Sequence, residues 1–253
     1  MALPNFIKPD WKVPPHIVAY TSCRGGGESS PPFDSLNVAQ HVGDDPQVVE
    51  KNRSKLPNFQ HYHWLNQIHS DICLELPHEH SASADAKLPG ADACFTSHKN
   101  QVCAVMTADC LPLLLCNAQG TKVAAVHAGW RGLANNIIEK TIDKLACDTS
   151  SMFAWLGPAI SQQYFEVGAD VKHSFADFPE AFMPSSNYSA NQAKYLADLY
   201  AIARAKLVAM GLHNISGGEY CTYKHADLFF SHRRATHQGL STTGRIVTSI
   251  YIS

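Results

Sequence analysis

Neither sign of charge dominates this sequence: 20 Lys and Arg stand against 22 Asp and Glu, a formal net charge of -2. So even a balance removes the electrostatic basis for nucleic acid or an anionic membrane as a main partner. Any anionic ligand must be met by a local cluster of Arg or Lys. Long apolar runs are also missing. The longest, around Leu111 to Leu115 and Val123 to Val126, fall far short of the roughly 20 residues that span a bilayer. The segment MALPNFIKPDWKVPP has no basic stretch followed by an apolar core, so no signal peptide and a cytoplasmic location are expected. Internal repeats and low-complexity blocks are absent, as are the CxxC and HExxH pairs that fix a metal locally. Gly25 to Gly27 are not followed by Lys-Ser or Lys-Thr, which excludes a Walker loop.

What is present is a globular composition, with 45% hydrophobic and 17% charged residues in a chain of 253, long enough to bury a full core. The eight cysteines are expected to be reduced thiols, and Cys103 and Cys116, set in apolar runs, to be packing residues. The stretch from Ser22 to Asp45 begins SCRGGGESSPPFDS and reads as a long functional loop inside one domain covering residues 1–253.

The pattern predicts a helix from about Pro46 to Leu56, entered from Asp44 and Asp45. His63 to Ile68, Val102 to Met106, Leu111 to Cys116, Lys122 to Val126, Phe153 to Leu156 and Arg245 to Ile252 read as strands. NAQG at 117–120 reads as a hairpin turn. Leu133, Ile137, Ile138, Ile142 and Leu145 recur at helical spacing and predict one helix from near Trp130. A second runs from Ala193 to Met210 and is closed by Gly211. Strands and helices mix without a βαβ rhythm, so an α+β sandwich of mixed sheet and helices is the expected architecture.

Three short segments place chemically competent groups at element ends: NQIHS (66–70), TADCLP (107–112) and HAGWRG (127–132). His69, Cys110 and His127 offer two imidazoles and a thiolate, a donor set that suits zinc and leaves one position open for water. Spacing alone leaves an alternative open, in which each is a half-buried polar side chain satisfied by backbone. Cys221, His225, His232 and His237 form a competing cluster that also reads as a basic strand-and-loop edge. The pairs His61/His63 and His78/His80 read as solvated.

These segments, with SLN (35–37), HVGDD (41–45), NR (52–53), GPAI (157–160), FEVG (165–168) and FFSHRR (229–234), resemble the YfiH-type family, also called the multicopper polyphenol oxidase or laccase-domain family. The resemblance runs in order from about Tyr20 to Arg245. It implies an α+β fold shared with bacterial toxin deamidases, and a zinc held by His69, Cys110 and His127. Relatives in that family are described as purine nucleoside phosphorylases, some with adenosine deaminase and methylthioadenosine phosphorylase activity. Purine nucleosides and phosphate are therefore the expected small-molecule partners.

Phosphorolysis needs an anion cradle. Arg131, at the expected start of the helix after His127, is the first candidate, and Arg24 beside its glycines the second. Asn37 and Glu166 lie in matching segments and are candidates for binding a ribose or purine edge, while Asp109 is a candidate proton donor. Trp130 and Phe229 are placed in the core rather than stacked on a base. Two other chemistries compete. A Cys–His amidase acting on a cell-wall precursor would use Cys110 as nucleophile and His127 or His69 as base. A copper phenol oxidase would require His-rich sites that the sequence does not offer.

Overall fold

The computed structural model describes residues 5–77, 88–186 and 193–253. In chain order the first elements are β1 (Phe6–Ile7), β2 (Ile17–Ser22), α1 (Pro46–Arg53), β3 (Tyr62–His63), β4 (Cys73–Leu76) and β5 (Ala93–Thr96). Then come β6 (Val102–Thr107), β7 (Leu111–Cys116), β8 (Val123–Ala128), α2 (Trp130–Ala134), α3 (Ile137–Leu145) and β9 (Phe153–Leu156). The remainder comprises β10 (Glu166–Gly168), α4 (Ala169–His173), β11 (Phe182–Pro184), β12 (Lys194–Ala197) and α5 (Leu199–Ala209). It closes with β13 (Asn214–Gly217), α6 (His232–His237) and β14 (Ile246–Ile252).

The strands form a five-stranded sheet ordered β1-β2-β14-β6-β3, a six-stranded sheet ordered β13-β9-β7-β8-β5-β4, and a small sheet ordered β10-β12-β11. The α+β expectation therefore holds. LPLLLC and, His127 apart, VAAVHA are apolar because β7 and β8 are buried on both faces. Leu114, Cys116 and Ala125 face the five-stranded sheet and pack with Cys103, Val105 and Ile250. Leu113, Leu115 and Val126 turn the other way, against Leu133, Ile138, Ile142, Ile202 and Leu207 of the helices. Each such aliphatic side chain contributes about 1.5–3 kcal/mol by leaving water. A further layer, built from Phe33, Val38, Ala39, Val42 and Leu56, covers the outer face of the five-stranded sheet. Cys103 and Cys116 are fully buried packing residues.

Several element limits differ from expectation. The helix expected from Trp130 is two helices, because Asn136 sits at φ 65° and breaks the spiral between α2 and α3. Lys206 of α5 reaches this break, donating to Asn136 Oδ1 at 2.8 Å and Glu139 Oε1 at 2.6 Å. The helix expected from Ala193 starts only at Leu199. Asp198 caps it through the Ala201 N–H, and Lys194–Ala197 is instead the central strand of the small sheet. Of the strand expected over His63 to Ile68 only His63 is regular, as the last residue of β3, and α1 stops at Arg53. Trp130 is partly buried against the core and Phe229 wholly buried, as expected. His61 is exposed and His63 pairs with Gln101, while His78 and His80 lie outside the described residues. No described helix is long and apolar enough to cross a membrane.

Candidate metal centre

β6 belongs to one large sheet and β7 to the other, and the chain crosses between them in Ala108–Cys110. So sharp a crossing puts Asp109 at φ 101°. Its carboxylate is anchored on both oxygens, accepting from Thr222 Oγ1 at 2.6 Å and from the Arg233 N–H at 2.7 Å. The next residue, Cys110, is thereby fixed at the joint of the two sheets. His127 lies near the end of β8, in register with Pro112 of β7, so it emerges beside Cys110. His69 stands in the loop after β3 at φ 59°. Gln67 pins that loop to β6, donating to Met106 O at 2.8 Å and accepting from Met106 N–H at 2.7 Å.

Asp92 joins the two histidines. It is fully buried just before β5, and its carboxylate faces His127 Nδ1 at 2.7 Å. It also accepts the N–H groups of Ile68, His69 and Ser70 and the Ser70 hydroxyl, at 2.6–3.2 Å. Burial alone would raise its pKa, but His127 and Ser70 hold it below the usual carboxylate value. One carboxylate thus shapes the loop carrying one imidazole and fixes the ring of the other, leaving His127 Nε2 for a ligand.

His69, Cys110 and His127 are the one group of three or more His, Cys, Asp or Glu gathered in this way among the described residues, with donor atoms all within 4.8 Å of one another. His69 Nε2 is 4.0 Å from Cys110 Sγ. Donors bound tetrahedrally at about 2.0–2.3 Å stand roughly 3.3–3.8 Å apart, so a small contraction brings the trio onto one ion. Gly129 makes room: a Cβ there would lie 3.0 Å from Cys110 Sγ and 3.4 Å from His69 Cδ2. Burial opposes charge on Cys110, but His127 and His69 outweigh it and bring the thiol down to about 6. Burial likewise opposes charge on His127, while Cys110 and Asp92 raise the imidazole to about 9. Both shifts favour a thiolate–imidazolium pair in the metal-free protein, and a bound ion would take the place of the proton between them. The donor set fits a metal.

The trio opens into a cavity of about 310 Å³, whose lining also includes His41, Gln67, Thr107, Arg131, His232 and Arg245. Of the other expected site residues, only Arg131 lies there, its guanidinium 4.5 Å over the Trp130 ring. Its helix, α2, has five residues, so the expected dipole contribution is small. Arg24 is elsewhere, paired with Asp34 at 2.9 Å and donating to Ala226 O. Of its glycines, Gly27 is packed on Ser35 and donates to its hydroxyl, while Gly25 lies in the open beside Arg24, away from the metal cavity. Asn37 is buried and structural, holding the Ala39 and Arg245 N–H groups on Oδ1 and donating to Asp44. Glu166 lines a separate cavity with Arg233 and accepts from Ser185. Asp109 does not line the metal cavity. The competing C-terminal group is dispersed: Cys221 accepts from Ser161 and Lys224, His225 bonds the Cys221 backbone, His237 meets Tyr223, and His232 faces the metal cavity.

Asp92, Arg245 and His41 escaped sequence reasoning. The signal for Asp92 was a carboxylate inside the apolar run Ala91–Phe95, which must be partnered if buried. Arg245, directly before an alternating apolar strand, is a similar anomaly.

Fold and site define an α+β sandwich with a His–Cys–His centre at the joint of its two main sheets. The chain belongs to the family described as multi-copper polyphenol oxidoreductase laccase, whose model matches residues 18–253. It is 43% identical over 252 residues to the purine nucleoside phosphorylase YfiH of Shigella flexneri, covering 98% of this chain and 99% of that one. A purine nucleoside phosphorylase of Pseudomonas aeruginosa is 39% identical over 253 residues, with 98% of both chains covered. A Neisseria meningitidis crystal structure superposes with a TM-score of 0.85 at 40% identity, covering 98% of this chain and 99% of that one. YlmD from Geobacillus stearothermophilus superposes at 0.84 with 30% identity, covering 98% of each chain.

Proposed function

We propose that this protein is a zinc-dependent purine nucleoside phosphorylase. It would cleave the N-glycosidic bond of adenosine, inosine or guanosine with phosphate, giving free base and ribose 1-phosphate. The observation that carries this reading is one cavity lined by a His–Cys–His donor set and by arginine, in a chain similar over its whole length to proteins named for that activity. Zinc held there supplies Lewis acidity toward the substrate and, for adenosine deamination, toward water. Methylthioadenosine phosphorolysis belongs to the same proposal. Within the cavity, Arg131 meets the phosphate. With Asp109 engaged by Thr222 and Arg233, proton donation to the leaving base passes to His232, which lines the cavity.

The test is to incubate metal-analysed protein with inosine plus phosphate, and separately with adenosine, and follow the products by chromatography. Hypoxanthine from the first is expected. Its absence from protein holding stoichiometric zinc sinks the reading, and absence of inosine from adenosine sinks the deaminase part alone. A second reading, a Cys–His amidase, draws on the alignment of Cys110, His127 and Asp92 as nucleophile, base and orienting carboxylate. Metal content separates them, since a thiolate committed to zinc is a poor nucleophile. The His–Cys–His set also accommodates copper, which the same metal analysis decides.

A further inference from the structure

The metal cavity has an unbalanced charge. Its lining contains two arginines and two histidines besides the metal trio, and no Asp or Glu. Arg245 is the most constrained of these groups. Asn37 Oδ1 accepts its backbone N–H at 3.0 Å. Its own NH1 donates to the carbonyls of Thr243 and Gly244 at 2.8 and 3.2 Å. Asn37 is in turn held by Asp44, and Asn52 donates to the Asn37 carbonyl. The guanidinium is thus positioned by neutral carbonyls, and among the described residues neither it nor Arg131 forms an ion pair. The negative groups acting on Arg245 at longer range are Cys110 and Asp109. The first is committed to metal in the loaded protein, and the second already serves Thr222 and Arg233.

A fixed, half-buried arginine without a counter-ion among the described residues is a favourable place for an anion. The surroundings agree. Burial above all pushes His41 toward its neutral form, and the nearby positive charges of Arg245 and Arg53 add to the shift. A separate observation points to a ligand. Thr107, on the cavity lining at the end of β6, is 1% exposed, and its Oγ1 has no hydrogen-bond partner. Three other buried polar atoms among the described residues share this lack, Asn58 Nδ2, Glu139 Oε2 and Ser216 Oγ, but of the four only Thr107 lines this cavity.

We infer that Arg245, with Arg131, His41 and Thr107, forms an oxyanion seat beside the metal trio, taking a phosphate dianion. Its identification with the phosphate of the reaction rests on the phosphorolytic reading, but the seat itself is defined by charge and geometry. Arg245 presents the fixed charge, Arg131 the mobile one from the rim, and the threonine hydroxyl gains the partner it lacks. The trio then faces the nucleoside side of the cavity.

Binding of inorganic phosphate to the zinc-loaded protein, followed by calorimetry, tests the seat. Arg245→Gln is expected to weaken it by about tenfold or more, the loss of a charge-assisted hydrogen bond, with zinc content unchanged. In turnover, KM for phosphate should rise by a similar factor while KM for inosine stays within about twofold, and Arg245→Lys should recover part of the loss. Thr107→Val is the second arm. If the hydroxyl has only a structural role, removing an unsatisfied group stabilises the fold and leaves phosphate binding unchanged; the seat requires weaker phosphate binding as well. Unchanged phosphate affinity in folded Arg245→Gln or Thr107→Val protein overturns the inference, as does a wild type that does not bind phosphate. If Arg245→Gln does not fold, Thr107→Val alone decides. Phosphate binding that is lost in Arg245→Gln, from a wild type that does not phosphorolyse inosine, keeps the seat and removes the phosphorolytic reading.

Discussion

At the scale of single residues, the metal centre depends on a carboxylate that touches no metal. Asp92 gathers three backbone N–H groups, a hydroxyl and an imidazole. Asp92→Asn keeps much of the shape but loses the charge that orients His127. Zinc affinity is expected to fall about 10- to 100-fold, read by competition with a chromophoric chelator. Cys110 and His127 make a second prediction, for the metal-stripped protein. The depressed thiol contributes stability that is complete above its unfolded value of about 8.5 and is lost as pH falls through about 6. The raised imidazole contributes stability that is complete below about 6.5 and is lost as pH rises through about 9. Between those limits the two contributions oppose each other, because the folded ion pair and the unfolded neutral pair hold the same number of protons. Reactivity resolves what stability conceals. Iodoacetamide should label Cys110 with a midpoint near pH 6, followed by mass spectrometry, and His127→Ala should move that midpoint upward. A midpoint near 8.5 in the wild type would mean that the thiolate is not stabilised as described.

Among the elements, strands with unbroken apolar runs were legible and those set by tertiary partners were not. β7 and β9 match the expected limits because LPLLLC and FAWL are bounded by turn residues on a doubly buried sheet. Lys194–Ala197 continues the helical spacing of α5 without a break in composition, and only pairing with β10 and β11 makes it a strand. The grouping of His69, Cys110 and His127 was legible because two of them sit at strand ends, Cys110 directly before β7 and His127 next to last in β8. Arg131 lines the same cavity, although the break at Asn136 removes the long helix expected behind it. Asn37 and Glu166 lie in other segments of the resemblance and Arg24 beside its glycines, and none of them lines the trio's cavity, since which wall a loop residue faces is decided by packing. The β8–α2 connection carries its own prediction. Gly129→Ala should leave the fold intact but lower bound zinc, because the methyl group falls 3.0 Å from Cys110 Sγ. Metal analysis and circular dichroism on the same sample check both halves.

For the whole molecule, stability comes from two large sheets sharing one interior and from helices on the far side of the second. Leu114, paired in register with Ala125 and Trp155, lies in that shared interior. Leu114→Ala should cost about 2–5 kcal/mol in chemical denaturation, with both sheets lost in one transition. The order of the five-stranded sheet has another consequence. β14 is inserted between β2 and β6, strands from the first half of the chain, and Arg245 directly precedes it. All three metal ligands lie upstream of this strand in the chain. During synthesis the metal trio can therefore leave the ribosome complete while β2 and β6 still present open edges. The newborn chain would carry the three candidate ligands before it has its fixed arginine, so that closing the sheet and finishing the cavity are one event.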